Sequence, residues 1–184
     1  MADRFHEIDI AGMKRRLPIM NLPDNSKAIA AFVILGDVEL TEHCAGALMK
    51  KIPREAEVVM TAETKGIPLA DSLARHLGMD RYVVARKSVK AYMENPIWVD
   101  DESITTFGQQ RLYLMEEDIA LIKGRHVLLV DDVISRGGSM RAMQSLAEKA
   151  GGQVIGMAAV IAEGDAAKRT DIITLASMPL FEAQ

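Results

Sequence analysis

The stretch VLLVDDVISRGGSM (127–140) places two adjacent carboxylates, Asp131 and Asp132, directly after the apolar run HVLLV. SRGGS (135–139) follows, just ahead of a stretch with helical periodicity. Small residues let backbone N–H groups come close to an anion, and a helix N-terminus adds unsatisfied donors and its dipole. Ser135 and Ser139 add hydroxyls, so the loop suits a phosphate group. A carboxylate accepts two hydrogen bonds at fixed spacing, so the acidic pair beside that loop suits the hydroxyls of a sugar. Together the two features point to a ribose phosphate. The plainer reading is a strand, a turn and a helix cap with solvated aspartates. A nucleoside triphosphate loop is not indicated, because its glycine spacing and its lysine are missing.

Such a pair is useful only if the fold carries it to a cleft. The chain alternates strand-like and helix-like stretches. Residues 39–52 predict an amphipathic helix, with Leu40, Cys44, Ala47, Leu48 and Ile52 on one face. Residues 56–62 predict a strand, 67–78 a helix with Pro68 in its first turn, and 81–87 another strand. Residues 88–108 read as irregular or as a β-ribbon around Trp98 and Ile104. A buried strand is expected over 126–130, a helix over 139–150, and strands over 153–162 and 171–176. Uniformly apolar strands separated by helices predict an α/β fold with a parallel sheet covered on both faces. Ligands of such sheets sit beyond the carboxyl ends of the strands, where Asp131 and Asp132 stand.

The 184 residues predict one domain with a real core. A net charge of −4 gives no electrostatic case for nucleic acid. No apolar run reaches the roughly 18 residues of a membrane span, and the N-terminus is too polar for a secretory signal, so a cytoplasmic protein is expected. Cys44 is the only cysteine and reads as a small core residue rather than a nucleophile. His6, His43, His76 and His126 show no metal-ligand spacing. Trp98 reads as a packing residue, and Tyr92 as a residue that either packs or stacks on a base.

VLLVDDVISRGGS resembles the phosphoribosyl pyrophosphate (PRPP) motif of the type I phosphoribosyltransferases. AETKGIPLA (62–70) resembles that family's pyrophosphate loop, and YVVARKSVKAYM (82–93) resembles the next strand and the start of its flexible loop. The likeness covers residues 30–163 and is closest to the adenine phosphoribosyltransferase-like purine salvage group. It implies a type I phosphoribosyltransferase fold: a central parallel sheet flanked by helices, with a small hood built from residues 1–38 and 163–184. The implied reaction is displacement of pyrophosphate from C1 of PRPP by a purine base, with Mg²⁺ on the diphosphate. By that resemblance Ser135, Arg136, Gly137, Gly138 and Ser139 bind the 5′-phosphate. Asp131 and Asp132 hold the ribose hydroxyls, directly or through the metal's waters. Thr64, Lys65 and Gly66 meet the pyrophosphate, and Arg86, Lys87 and Lys90 neutralise the leaving group; the plainer reading of Glu63 is a residue that only braces the loop. PRPP and a purine base are the implied partners, with neither nucleic acid nor membrane among them, and a homodimer is the implied assembly.

The sequence also departs from family patterns. Ser135 and Gly138 stand where hypoxanthine–guanine enzymes of the other main class carry Asp and Lys, which leaves adenine the favoured base. ITTFGQQRLYL (104–114) lacks the loop glutamate of many adenine enzymes, with Gln109 or Gln110 in its place, and is closer to the xanthine enzymes. A xanthine or 6-oxopurine phosphoribosyltransferase is therefore the alternative enzyme. A non-catalytic PRPP-sensing regulator is the alternative of another class. The basic residues Arg86, Lys87 and Lys90 favour catalysis, and the residues ahead of the first core strand are taken up by the hood and a helix.

Overall fold

The computed structural model describes residues 4–101 and 110–183. Its centre is a five-stranded sheet in the order β10-β9-β8-β4-β5, parallel at every pairing. The strands are β4 (Val58–Ala62), β5 (Val83–Ala85), β8 (His126–Ile134), β9 (Gln153–Glu163) and β10 (Ile173–Met178). Ahead of them lie β1 (Phe5–Ile10), β2 (Met13–Asn21) and β3 (Ala28–Ala30), and after β5 lie β6 (Ile97–Asp101) and β7 (Gln110–Leu114). The helices are α1 (Val38–Leu48), α2 (Ile67–His76), α3 (Glu116–Ile122) and α4 (Gly138–Lys149).

The period of two along β8 divides the core. Leu128 and Val130 pack on one face with Leu40, Cys44 and Leu48 of α1 and Leu69 and Leu73 of α2. Val127 and Leu129 pack on the other with Met143 and Leu146 of α4, Ile122 of α3 and Leu112 and Leu114 of β7. Strands buried on both faces must be apolar throughout, which is why VVMTA and HVLLV read as continuous runs. Cys44 is buried, and that burial pushes its thiol up to about 12, as expected of a core residue.

α1 starts one residue earlier than expected, where the Asp37 carboxylate accepts from the Leu40 N–H at 2.9 Å, and it gives way to turns after Leu48. β8 runs four residues past the predicted strand end. Asp131, Val133 and Ile134 are paired with Ala159, Ile161 and Ala162, because β9 is long enough to supply partners. The acidic pair therefore lies within the strand's last turnings rather than beyond it. Of the ribbon expected within 88–108, β6 lies in that range and pairs antiparallel with β7, which lies beyond it; Trp98 stands opposite Tyr113 under the guanidinium of Arg111. Ile104, Gln109 and the side chain of Gln110 lie outside the described residues.

The terminal segments, expected as a hood, include strands that the sequence reading did not predict. β1, β2 and β3 make a small antiparallel sheet, with Ala11 and Gly12 at positive φ in the β1–β2 turn. Ala28 and Phe181 exchange both backbone hydrogen bonds at 2.8 Å, and Lys27 pairs with Glu182 at 2.6 Å. Both ends of the chain thus meet in one cap. Asp24, in the β2–β3 turn, is held below the usual carboxylate range chiefly by hydrogen bonds from Ser26. Among the described residues no helix is long and apolar enough to cross a membrane.

Candidate active site

Four segments converge at the carboxyl ends of β4, β5, β8 and β9. The first is the acidic pair. Asp132 is buried, and its backbone N–H donates to Asp131 Oδ1 at 2.9 Å. Burial raises the proton affinity of Asp131, and the neighbouring charge of Asp132 raises it further.

The second segment is the loop after β4. Lys65 Nζ lies 2.7 Å from Asp132 Oδ2, so the expected pyrophosphate loop and the expected ribose carboxylates are in direct contact. Gly66 is buried at the same junction. A Cβ there would stand 2.2 Å from Thr61 Oγ1 and 3.1 Å from Asp131 Oδ1, which restricts the position to glycine. Thr64 is exposed at the tip, where its carbonyl accepts from the Ile67 N–H.

The third segment is SRGGS. Gly137, at φ +77°, is the N-cap of α4, and no side chain caps that helix. The helix begins at Gly138, inside the motif, which leaves the first-turn donors open to an anion. Ser139 Oγ lies 3.5 Å from the buried Asp101 at the end of β6. Arg136 is exposed, and its carbonyl accepts from Arg141 Nη1 at 3.0 Å.

The fourth segment follows β5. Arg86 Nη1 meets Glu63 Oε1 at 2.9 Å, and the Lys87 N–H donates to Glu63 Oε2 at 2.8 Å. Glu63 thus braces two of the expected leaving-group cations against the pyrophosphate loop. Tyr92 is exposed and its hydroxyl accepts from Arg86. Lys90 donates locally to Ser88 Oγ at 2.7 Å.

Three further groups at this mouth escaped the sequence reading. A Cβ on Gly137 would lie 2.6 Å from Arg169 Nη1 and 3.4 Å from Arg141 Nη1, so two guanidiniums flank the phosphate loop. Arg169 is fixed by a double hydrogen bond to Asp171 at 2.9 and 2.6 Å. The third is Glu163, the last residue of β9, which is buried. Its place at a strand's carboxyl end was the available signal for it. Among the described residues no cluster of three or more metal-ligating side chains occurs. A donor set of two adjacent carboxylates suits a divalent ion that brings most of its ligands on a phosphorylated substrate.

A parallel sheet covered on both faces, with carboxylates, cations and an uncapped helix start at one mouth, defines an α/β protein with a candidate anion-binding cleft. The family model for a phosphoribosyl transferase domain matches residues 38–179, and the chain belongs to that family: it is a phosphoribosyltransferase. It is 32% identical to a hypoxanthine/guanine phosphoribosyltransferase of Methanococcus voltae, over 79% of this chain and 74% of the relative. It is 33% identical to an adenine phosphoribosyltransferase of Thermotoga maritima, over 59% of each chain. A crystal structure of adenine phosphoribosyltransferase from Thermoanaerobacter pseudethanolicus superposes with a TM-score of 0.66, covering 94% of this chain and 95% of that one. At 22% identity that likeness speaks for the fold, which is the type I phosphoribosyltransferase fold expected from the sequence.

Proposed function

We propose that this protein transfers the 5-phosphoribosyl group of PRPP to a purine base, giving a nucleoside monophosphate and pyrophosphate. The observation that carries the reading is the contact of Lys65 with Asp132, which joins a candidate diphosphate site to a candidate ribose site beside an uncapped helix start. In this reading Ser135, Arg136, Gly137, Gly138 and Ser139 receive the 5′-phosphate, and Asp131 and Asp132 hold the ribose hydroxyls. Thr64, Lys65 and Gly66 receive the diphosphate, and Arg86, Lys87 and Lys90 neutralise it as it departs. As the bond to pyrophosphate breaks, positive charge grows on the sugar ring and negative charge on the leaving oxygens; fixed carboxylates and cations on the two sides favour that separation. Mg²⁺ bound on the diphosphate would supply further charge neutralisation, with Asp131 or Asp132 reaching it through water. The reading takes residues 1–184 as a single phosphoribosyltransferase domain, in a cytoplasmic homodimer. Val33, Leu35 and Val38, exposed around the start of α1, are apolar surface that a second copy would cover.

Relatives named for hypoxanthine/guanine and for adenine match at similar identity, so adenine, the base favoured from the sequence, has no advantage from them. The test is pyrophosphate release from PRPP with adenine, hypoxanthine, guanine and xanthine in turn. Release with one or more of them is the expected result. Binding of PRPP without release on any base would replace the enzyme by a PRPP-sensing regulator.

A further inference from the structure

Tyr92 is 58% exposed, so packing does not explain its place. It sits in a turn closed by the Met93 N–H, which donates to the Lys90 carbonyl at 2.9 Å, and Met93 itself is buried. That turn carries the Tyr92 hydroxyl to Arg86 Nη2, from which it accepts a hydrogen bond. The other terminal nitrogen of the same guanidinium, Nη1, meets Glu63 Oε1 at 2.9 Å. Arg86 is fixed at this junction, because its backbone exchanges both hydrogen bonds with Tyr113, at 2.9 and 2.8 Å. Thr64, Lys65 and Gly66 follow Glu63 directly, so the Tyr92 hydroxyl stands at the edge of the candidate diphosphate loop.

A phenol has one proton to give and lone pairs to accept with. Here the guanidinium occupies a lone pair, and among the described residues nothing takes the proton. What the hydroxyl can still bind is an acceptor. Accepting from a cation makes it a stronger donor, since hydrogen bonds in a chain polarise one another. In the PRPP reading the acceptor that comes to this corner is a diphosphate oxygen. A base stacked on the ring would need no hydroxyl and would gain nothing from its tie to Arg86. We propose that Tyr92 is a further pyrophosphate-binding residue, whose hydroxyl accepts from Arg86 and donates to a diphosphate oxygen. The inference rests on the PRPP reading above.

The test is calorimetry on the full chain with Mg²⁺ present, using pyrophosphate and ribose 5-phosphate as separate probes. Tyr92→Phe keeps the ring and removes only the hydroxyl, and the fold tolerates such a change at an exposed side chain. It is expected to weaken pyrophosphate by at least about fivefold, the scale of one hydrogen bond to a charged group, and ribose 5-phosphate by less than about twofold. In an Arg86→Met background Tyr92→Phe is expected to cost pyrophosphate about a further twofold or more, because the hydroxyl touches the diphosphate itself. A smaller further cost would make Tyr92 only a positioning residue for Arg86 and overturn the contact. Pyrophosphate binding that Tyr92→Phe leaves within fivefold, or a loss shared equally by ribose 5-phosphate, would overturn it too. An unchanged Tyr92→Phe beside a Tyr92→Ala that raises KM for the base would assign the ring to stacking instead. Failure of the parent protein to bind either probe would overturn the PRPP reading rather than this contact.

Discussion

Lys65 and Asp132 form an ion pair of 2.7 Å in which the lysine is about half exposed, at 47%, and the carboxylate is almost fully buried, at 4%. The Asp132 oxygen in that pair has no hydrogen bond to another protein group among the described residues. Lys65 is therefore its main compensation, and a diphosphate would have to share or displace that contact. Lys65→Met should cost about 1–2 kcal/mol of stability, less than a fully buried pair would because the lysine is hydrated. It should also weaken pyrophosphate as a product inhibitor by about tenfold or more, the scale of a charged hydrogen bond. Urea unfolding and inhibition kinetics on the same variant check both.

Asp131 should be a site where stability and turnover oppose each other. Its folded proton affinity is raised by burial and by Asp132, so the native state holds a proton where the unfolded chain has released it. From the ordinary carboxylate range near pH 4 upward to the raised folded value, stability should fall as pH rises, and above that window the whole penalty is present. Asp131→Asn keeps an oxygen for the Asp132 N–H and removes the charge. It should stabilise the free protein by about 1 kcal/mol at neutral pH and lose about 100-fold or more in turnover. The gain should shrink as the pH is lowered toward about 4, which a pH series of urea midpoints would show.

Gly66→Ala should be among the most damaging small changes in the chain. The added methyl would overlap the buried Thr61 hydroxyl at 2.2 Å and crowd Asp131 at 3.1 Å. Overpacking of this kind costs about 1–3 kcal/mol, and here it would also push the loop off the acidic pair. Thermal unfolding with and without PRPP is the measurement; an unchanged midpoint and unchanged PRPP binding would contradict the geometry.

Arg86→Lys should not be conservative. The guanidinium meets both Glu63 and the Tyr92 hydroxyl, a fork that an ammonium cannot reproduce. We expect kcat/KM for PRPP to fall about tenfold or more with little change in thermal midpoint, since the residue is partly exposed. Loss of stability without loss of activity would make Arg86 a brace only.

The central sheet and its mouth were legible because their signals are local. VVMTA, HVLLV and SRGGS each state their own conformation through branched apolar residues or small ones. The length of β8 was not legible, because Asp131 to Ile134 are held extended by β9, whose partnering is a tertiary fact. Seven-residue α3 went unread, as so short a stretch shows little periodicity. Arg169 was missed for a related reason. It reaches Gly137 only once β9 and the turn after it have carried the chain back over the loop. Alternation in FHEIDI and MKRRLPIM was available for β1 and β2, yet stood in a segment without family likeness.

The paired hydrogen bonds between Ala28 and Phe181 tie the tail of the chain to a strand near its head, within the cap. Shortening the polypeptide after Leu180 would release that clasp without touching the acidic pair or the pyrophosphate loop. The cap would then loosen while the five-stranded sheet keeps all of its pairings, so Phe181 and Glu182 serve the closure of the cap rather than the core.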